Sequence, residues 1–197
     1  MITNDFAGWF IVLCWTAMIL YWITTALSVK RTVERHSWMW QRVIVYSAIA
    51  ALFVLYWNGY AGPILWTRTL AIGITADITT LFGLLIQLWA RTSLGRNWSA
   101  DVTFKEKHEL IDRGPYRFIR HPIYSGLLLL ILGTALWHGH VDGFIILILI
   151  SVGVYVRARQ EERLLAKHFP ESYPPYKKRT TMFIESVRFW VSTNELL

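Results

Sequence analysis

The 197-residue chain has room for one domain, and its apolar content is too high for an ordinary soluble domain. Hydrophobic residues make up 54% of it, and its mean hydropathy is +0.37. This apolar composition predicts an integral membrane protein. The formal net charge of +7 would suit a nucleic-acid partner, but the sequence contains no soluble basic domain that could bind one, so we predict no nucleic-acid binding.

Two uncharged segments in the N-terminal half are long enough to cross a bilayer. One extends over the 24 residues 6–29, and the other over the 25 residues 43–67. A helix needs about 20 such residues to span the hydrocarbon core. The first segment is preceded by Asp5 and by no Lys or Arg, and its apolar run exceeds that of a signal peptide, so we predict a retained helix.

Three more spans are predicted in the rest of the chain. One covers residues 69–90 and contains Asp77, which must face the bundle interior because a carboxylate in lipid costs about 2.5 to 3.5 kcal/mol. The apolar stretch 123–156 is interrupted by polar and glycine residues at 138–143, which indicates a turn between two rather short helices. We therefore predict an all-α integral membrane protein with about five transmembrane helices.

The distribution of positive charge predicts the orientation of these helices. Nineteen of the twenty Lys and Arg residues lie in segments 30–42 and 91–120 and from Arg157 onward, whereas Arg68 is alone on the other side. Loops rich in Lys and Arg remain in the cytoplasm. We therefore expect the N-terminus outside and the C-terminal segment inside, where the basic face can also contact anionic membrane lipids.

Residues 1–197 are predicted to form a single domain, because the sequence has no repeat, linker or low-complexity tract. The fifth helix is expected to continue past Arg157 and to be ended by Pro170, Pro174 and Pro175. The last segment mixes aromatic and charged residues, which is typical of an amphipathic tail at the membrane interface. The predicted parts are three N-terminal spans (1–90), a cytoplasmic region with the last helical hairpin (91–181), and the amphipathic tail (182–197).

The stretch GPYRFIRHPIYSG, residues 114–126, brings a high density of polar groups to the start of the fourth span. Pro122 suits the first turn of a helix, and His121 before it is biased toward an extended conformation. The free backbone amides and the positive end of the dipole of such a helix can bind a carboxylate or a phosphate. A structural interpretation stays open, in which the arginines and tyrosines only anchor the helix at the interface.

A second polar group lies at the cytoplasmic end of the fifth helix. Arg157 and Glu161 are four residues apart and share one helix face, with Glu162 beside them. As a surface ion pair they contribute roughly a few tenths of a kcal/mol. Alternatively, the carboxylate can hold an ammonium and the guanidinium a carboxylate, two groups that one amino-acid-like ligand offers.

The sequence predicts no metal site and offers no pattern typical of a nucleophilic enzyme or of a glycine-rich dinucleotide-binding fold. His36, His138, His140 and His168 are not spaced as a metal site together with carboxylates. Neither a glycine-rich dinucleotide fingerprint nor a nucleophile with an adjacent base is present. The single cysteine, Cys14, excludes an internal disulfide.

Three segments resemble the isoprenylcysteine carboxyl methyltransferase family and, more loosely, the membrane phospholipid methyltransferases. They are LGRNWSA, HELIDRGPYRFIRHPIYSG and RARQEERLLAKHFPESYPPYKKRT, which together cover about residues 91–181. The N-terminal spans match this family only in number and hydropathy. The chain departs from the family pattern where MFI is followed by Glu185 instead of a nearby proline.

The resemblance implies an S-adenosylmethionine site on the cytoplasmic side of the membrane. It places Arg157 against the carboxylate of a methyl acceptor. It assigns the cofactor pocket to His108, Glu109, Leu110, Ile111, Tyr116, His121, Pro122, Ile123, Tyr124 and Glu161, and we expect Glu162 to assist Glu161.

This assignment agrees with the chemistry that the residues offer. Methyl transfer from a sulfonium to a carboxylate needs positioning and loss of water but no general base. We therefore predict a membrane methyltransferase that takes its cofactor from the cytoplasm and a lipidic acceptor, such as an isoprenylcysteine-like carboxylate, from the bilayer. The alternatives are N-methylation of a phospholipid amine, an NADPH-dependent reductase similar to the sterol reductases, and a scaffold or transporter without enzymatic activity.

Overall fold

The computed structural model describes residues 3–26, 32–36, 62–95, 102–105 and 110–184. Within these ranges the chain is mostly helical, as the sequence predicts, and a short antiparallel strand pair is the one addition to the all-α architecture there. The elements are α1 (Thr3–Ala26), β1 (Thr32–His36), α2 (Leu70–Leu94), β2 (Val102–Lys105), a 3-10 helix (Gly114–Arg117), α3 (Pro122–His138), α4 (Val141–His168) and α5 (Tyr173–Lys178).

Three of the described helices, α1, α2 and α4, are long and apolar enough to cross a membrane, and α3 is a shorter apolar helix. They confirm an integral membrane protein and correspond to the first, third, fifth and fourth predicted spans. The second predicted span lies outside the described residues except for 62–67. For these six residues the prediction is wrong, because they form no helix: Pro63 disfavours one, and Ile64 pairs with His140.

The turn between α3 and α4 lies where the sequence predicts it. Gly139 follows α3 with a φ of +76°, a left-handed conformation that glycine adopts without steric cost. The amide of Leu65 donates to the carbonyl of Gly139 at 2.8 Å, and the amide of Val141 donates to the carbonyl of Pro63 at 3.1 Å. The segment that precedes α2 therefore holds this turn in place.

The fifth predicted helix, α4, continues past Arg157 without interruption and ends at His168. Its 28 residues give a length of about 42 Å, which exceeds the hydrocarbon core of about 30 Å. The apolar run ends at Val156, so residues 157–168, called the α4 extension below, lie beyond the membrane span. Pro174 and Pro175 do not end this helix as predicted; they lie in the first turn of α5, where a missing amide donor has little cost.

Helices α2 and α3 approach each other closely through small residues. A Cβ atom added to Gly126 would lie 2.6 Å from the carbonyl oxygen of Gly83, and one added to Gly133 would lie 2.7 Å from that of Ala76. Membrane helices pack tightly where small residues let their backbones meet. One oxygen of Asp77, on the same helix as Ala76, is buried, in agreement with its predicted inward orientation.

The Gly133→Val substitution is expected to destabilise the protein by about 1–3 kcal/mol, because the added side chain must push α2 away from α3. The measurement is the thermal unfolding temperature of the detergent-purified variant. Val152→Leu is the control, since it adds an apolar group on a face of α4 where Val152 is 58% exposed. Equal unfolding temperatures for the two variants would contradict a tight α2–α3 contact.

Helices α1 and α2 end on the same side of the molecule. Nη2 of Arg91, near the end of α2, donates to the carbonyl of Thr25, near the end of α1, at 2.8 Å. The strands β1 and β2, which follow these helices, pair with each other. This pairing agrees with the prediction that the loops 30–42 and 91–120 share one face of the membrane.

The described end of the chain, residues 180–184, packs against the loop before α3. The amide of Arg120 donates to the carbonyl of Thr181 at 2.8 Å, and the amide of Thr181 donates to the carbonyl of Phe118 at 3.0 Å. These bonds fix the position from which α3 starts. The rest of the predicted amphipathic tail, residues 185–197, lies outside the described residues.

Candidate active site

A cavity of about 370 Å³ lies at the end of the bundle where α1 and α2 finish and α3 begins. Its size falls within the range of pockets that bind small molecules. The spanning helices supply most of its apolar lining, and its polar lining comes mainly from the loop before α3, the start of α3 and the α4 extension. The described lining residues are Met18, Trp22, Gln87, Leu94, Tyr116, Arg120, His121, Ile123, Tyr124, Leu127, Arg157 and Glu161.

Arg157, Tyr124 and Glu161 form a hydrogen-bonded group in this cavity. Nε of Arg157 donates to the hydroxyl of Tyr124 at 2.6 Å and to Oε1 of Glu161 at 3.3 Å. The hydroxyl of Tyr124 donates to the same carboxylate oxygen. One turn of α4 thus presents a guanidinium and a carboxylate side by side, as their spacing predicts, and α3 supplies the phenol that joins them.

His121 is buried beside this group and faces two carboxylates. Its Nδ1 lies 3.5 Å from Oε2 of Glu161, and its Nε2 lies 3.6 Å from Oε1 of Glu162. These are distances of ion pairs and are too long for good hydrogen bonds. Burial lowers the pKa of the imidazole, but the two carboxylates outweigh burial, so the pKa of His121 is raised. The ring therefore carries more positive charge near neutral pH than an exposed histidine does.

Glu162 holds the surrounding elements together and does not line the cavity. Nε of Arg120 donates to its Oε1 at 2.6 Å, and Nζ of Lys177 lies 3.1 Å from its Oε2. Burial raises the pKa of this carboxyl, but His121 and Arg120 outweigh burial and hold the pKa at about 2. The sequence predicts Glu162 as a cofactor ligand, but in the structure these cations already engage its carboxylate.

The structure brings half of the predicted site residues to the cavity. Pro122 is buried in the first turn of α3 and does not line the cavity, and neither do the half-buried Leu110 and Ile111. His108 and Glu109 lie outside the described residues. The predicted residues that do line the cavity are Tyr116, His121, Ile123, Tyr124, Arg157 and Glu161.

The start of α3 differs from the anion-binding helix N-terminus with free backbone amides that the sequence predicts. The amide of His121 donates to the carbonyl of Met182 at 3.2 Å, and Pro122 has no amide hydrogen. The C-terminal segment therefore uses a donor that the prediction left free. At this end of α3 the side chains of His121 and Arg120 supply positive charge to the cavity.

Several lining residues were not predicted from the sequence. Arg120 lies in the predicted motif, where the sequence indicates only a membrane anchor. Gln87 is a polar residue within a span and is 2% exposed, a signal that indicates function or interhelical bonding. The apolar lining residues carry no local pattern that separates them from lipid-facing neighbours; they are Met18, Trp22, Leu94 and Leu127.

The fold and this site define a membrane-embedded protein with a small-molecule cavity at one end of its helix bundle. The model of the phospholipid methyltransferase family matches residues 71–172, slightly more than half of the chain, and the chain belongs to this family. The match covers α2 from its second residue, all of α3 and α4, and every described residue that lines the cavity except Met18 and Trp22. It confirms the resemblance to membrane methyltransferases.

Individual relatives are 30–34% identical to this chain over aligned segments of about 84 to 107 residues. The chain is 30% identical over 98 residues to the uncharacterized protein YpbQ of Bacillus subtilis, covering 49% of this chain and 57% of that protein. It is 34% identical over 93 residues (46% and 43%) to the cobalt-zinc-cadmium resistance protein CzcN of Cupriavidus metallidurans. It is 30% identical over 84 residues (42% of each) to phosphatidylethanolamine N-methyltransferase B of Dictyostelium discoideum. The chain spans about half the length of the curated relatives it matches.

Proposed function

We propose that the protein transfers a methyl group from S-adenosylmethionine to the carboxylate of a lipidic acceptor such as an isoprenylcysteine. The observation that carries this proposal is the pairing of Arg157 with Glu161 in a cavity at the end of a membrane helix bundle. The basic loops on this side of the bundle favour a cytoplasmic position for the cavity, with the N-terminus outside. The acceptor then arrives from the bilayer.

The donors and acceptors in the cavity fit S-adenosylmethionine. When bound, this cofactor supplies an electrophilic methyl group on a sulfonium. The carboxylate of Glu161 suits its ammonium, and the positive charges of His121 and Arg120 suit its carboxylate. Tyr116 and Tyr124 offer aromatic faces to the adenine and to the sulfonium.

The protonation of the site favours a carboxylate as the acceptor over an amine. An alkylammonium must lose a proton before it can be methylated, whereas a carboxylate is already deprotonated near neutral pH. Among the described lining residues, His121 could accept that proton only in its neutral form, whereas Glu161 and Glu162, at 3.5 and 3.6 Å from its ring nitrogens, raise its pKa and favour the protonated form. The carboxylate of Glu161 already accepts hydrogen bonds from Tyr124 and Arg157.

A phospholipid amine is the second candidate acceptor. It is favoured by the family match and by the relative named phosphatidylethanolamine N-methyltransferase B. With this acceptor, Arg157 would not be needed to hold a substrate carboxylate. The two candidates therefore differ in what they require of one residue.

Calorimetric titration of the detergent-purified protein with S-adenosylhomocysteine is expected to give binding with a dissociation constant of about micromolar order. A parallel titration with NADPH is expected to give no binding. The protein would then be incubated with S-adenosylmethionine and either a prenylated cysteine with a free carboxylate or phosphatidylethanolamine, and methylated product would be measured. Binding of NADPH without S-adenosylhomocysteine would overturn the proposal in favour of a reductase.

A further inference from the structure

We propose that His138, His140 and Asp142 bind a divalent transition-metal ion at the end of the bundle opposite the cavity. One potential ligand atom of each side chain lies within 4.8 Å of the others. His138 ends α3 and Tyr124 is near its start, so about 21 Å of helix separates this cluster from the cavity. The site is therefore distinct from the methyltransferase centre and does not depend on the proposed acceptor.

The turn between α3 and α4 arranges these ligands. Because Gly139 reverses the chain, the rings of His138 and His140 stack with centroids 4.6 Å apart. Nε2 of His138 lies 3.2 Å from Oδ2 of Asp142. Two ligands bound at about 2.1 Å to one tetrahedral zinc ion are about 3.4 Å apart. These two atoms thus already have about the separation of ligands to a common ion, and a ligand atom of His140 lies within 4.8 Å of both.

The hydrogen bond of His140 leaves its Nε2 available to a metal ion. Its Nδ1 lies 2.9 Å from the carbonyl oxygen of Gly62. A carbonyl can only accept, so Nδ1 carries the hydrogen and Nε2 of the neutral ring presents a lone pair. Metal-binding histidines typically donate their second ring N–H to a carbonyl or carboxylate in this way, which fixes the ring.

Asp142 supplies the charge that a cation requires. Its Oδ1 is buried and has no hydrogen-bond partner among the described residues. With neutral imidazoles the cluster carries a net negative charge, and a cation would compensate that charge and engage the carboxylate. An ion pair between His138 and Asp142 alone accounts for Oδ2 of the carboxylate but does not account for the buried Oδ1. Imidazole and carboxylate ligands together suit Zn²⁺ and its neighbours in the first transition series.

The sequence predicts no metal site, because the spacing of His138 and His140 along the chain does not show how the turn folds them. His140 precedes α4, and Asp142 lies in the first turn of α4. They lie close to His138, the last residue of α3, because the chain reverses at Gly139. The contact of His140 with Gly62 comes from a segment 78 residues away in the sequence.

The proposal is tested by metal titration of full-length protein purified without a polyhistidine tag and stripped with EDTA. Zn²⁺ binding is measured by calorimetry, and Co²⁺ binding by the visible absorption of a tetrahedral complex. We expect one Zn²⁺ per chain in the wild type and in the control His168→Gln. In His140→Gln and Asp142→Asn we expect binding to be weaker by about tenfold or more.

Folding of each variant is checked by size exclusion and by thermal unfolding in EDTA, which do not depend on the metal. If one of the two variants is misfolded, the Zn²⁺ affinity of the other is compared with that of the wild type. Absence of Zn²⁺ binding in the wild type would overturn the proposal. So would equal affinity in the wild type and in a folded His140→Gln or Asp142→Asn protein.

Discussion

The Glu161→Gln variant is expected to bind S-adenosylhomocysteine about 30-fold more weakly than the wild type, or weaker still. Among the described residues that line the cavity, Glu161 is the one with a carboxylate. The side-chain amide of glutamine carries no charge and cannot neutralise the ammonium of the ligand. Removing one partner of a buried charge pair costs about 2 kcal/mol or more, which corresponds to this factor. Calorimetry on the detergent-purified variant measures it.

The matched control is Glu171→Gln, which makes the same chemical change at an exposed position after α4 and is expected to bind like the wild type. Glu161 also accepts hydrogen bonds from Tyr124 and Arg157, so the thermal stability of each variant is measured in parallel. Unchanged affinity in a stably folded Glu161→Gln protein would remove Glu161 from the cofactor site and with it the proposed position of the ammonium.

The polar half of the cavity could be predicted because its residues are close in the sequence. His121 and Tyr124 fall within one motif, and Arg157 and Glu161 are one helical turn apart. Local spacing is therefore enough to place them together at the start of α3 and the end of the α4 span. The pairing of these two groups across helices then follows from the short hairpin that connects them.

The apolar half could not be predicted, because a bilayer removes the contrast on which burial patterns depend. Met18 lines the cavity, whereas its neighbour Ile19 is 49% exposed on the outer surface of the bundle, yet both are apolar. In a soluble protein the second position would be polar. In lipid both faces of α1 have the same composition, so the sequence does not reveal which one faces the cavity.

Adjacent carboxylates show a second limit of prediction. Glu161 and Glu162 are about 100° apart around α4 and therefore meet different partners. Glu161 lines the cavity. Glu162 is paired with Arg120 and Lys177, which are both far from it in the sequence. Which carboxylate binds a ligand depends on where α5 and the loop before α3 pack, and no local pattern contains that information.

The Arg157→Gln variant is expected to lose about 100-fold or more in kcat/KM toward a prenylated cysteine carboxylate. A guanidinium can hold a carboxylate by two parallel hydrogen bonds, and glutamine can reproduce neither its charge nor that geometry. Loss of one donor that stabilises a reacting oxygen typically lowers the rate by about 10²–10³-fold. Affinity for S-adenosylhomocysteine is expected to change much less, because Glu161, His121 and the aromatic residues remain.

Measuring the activity of Arg157→Gln toward both a prenylated cysteine carboxylate and phosphatidylethanolamine distinguishes carboxyl methylation from amine methylation. Arg163→Gln, the same change at an exposed position of the α4 extension, is the control and is expected to retain activity. If Arg157→Gln keeps full activity toward phosphatidylethanolamine and the wild type does not methylate the carboxylate, the acceptor is an amine. If Arg157→Gln loses the carboxylate activity while its S-adenosylhomocysteine binding persists, then Arg157 orients the acceptor. That result would separate the two neighbouring charges on α4 by role, the carboxylate serving the cofactor and the guanidinium the lipid.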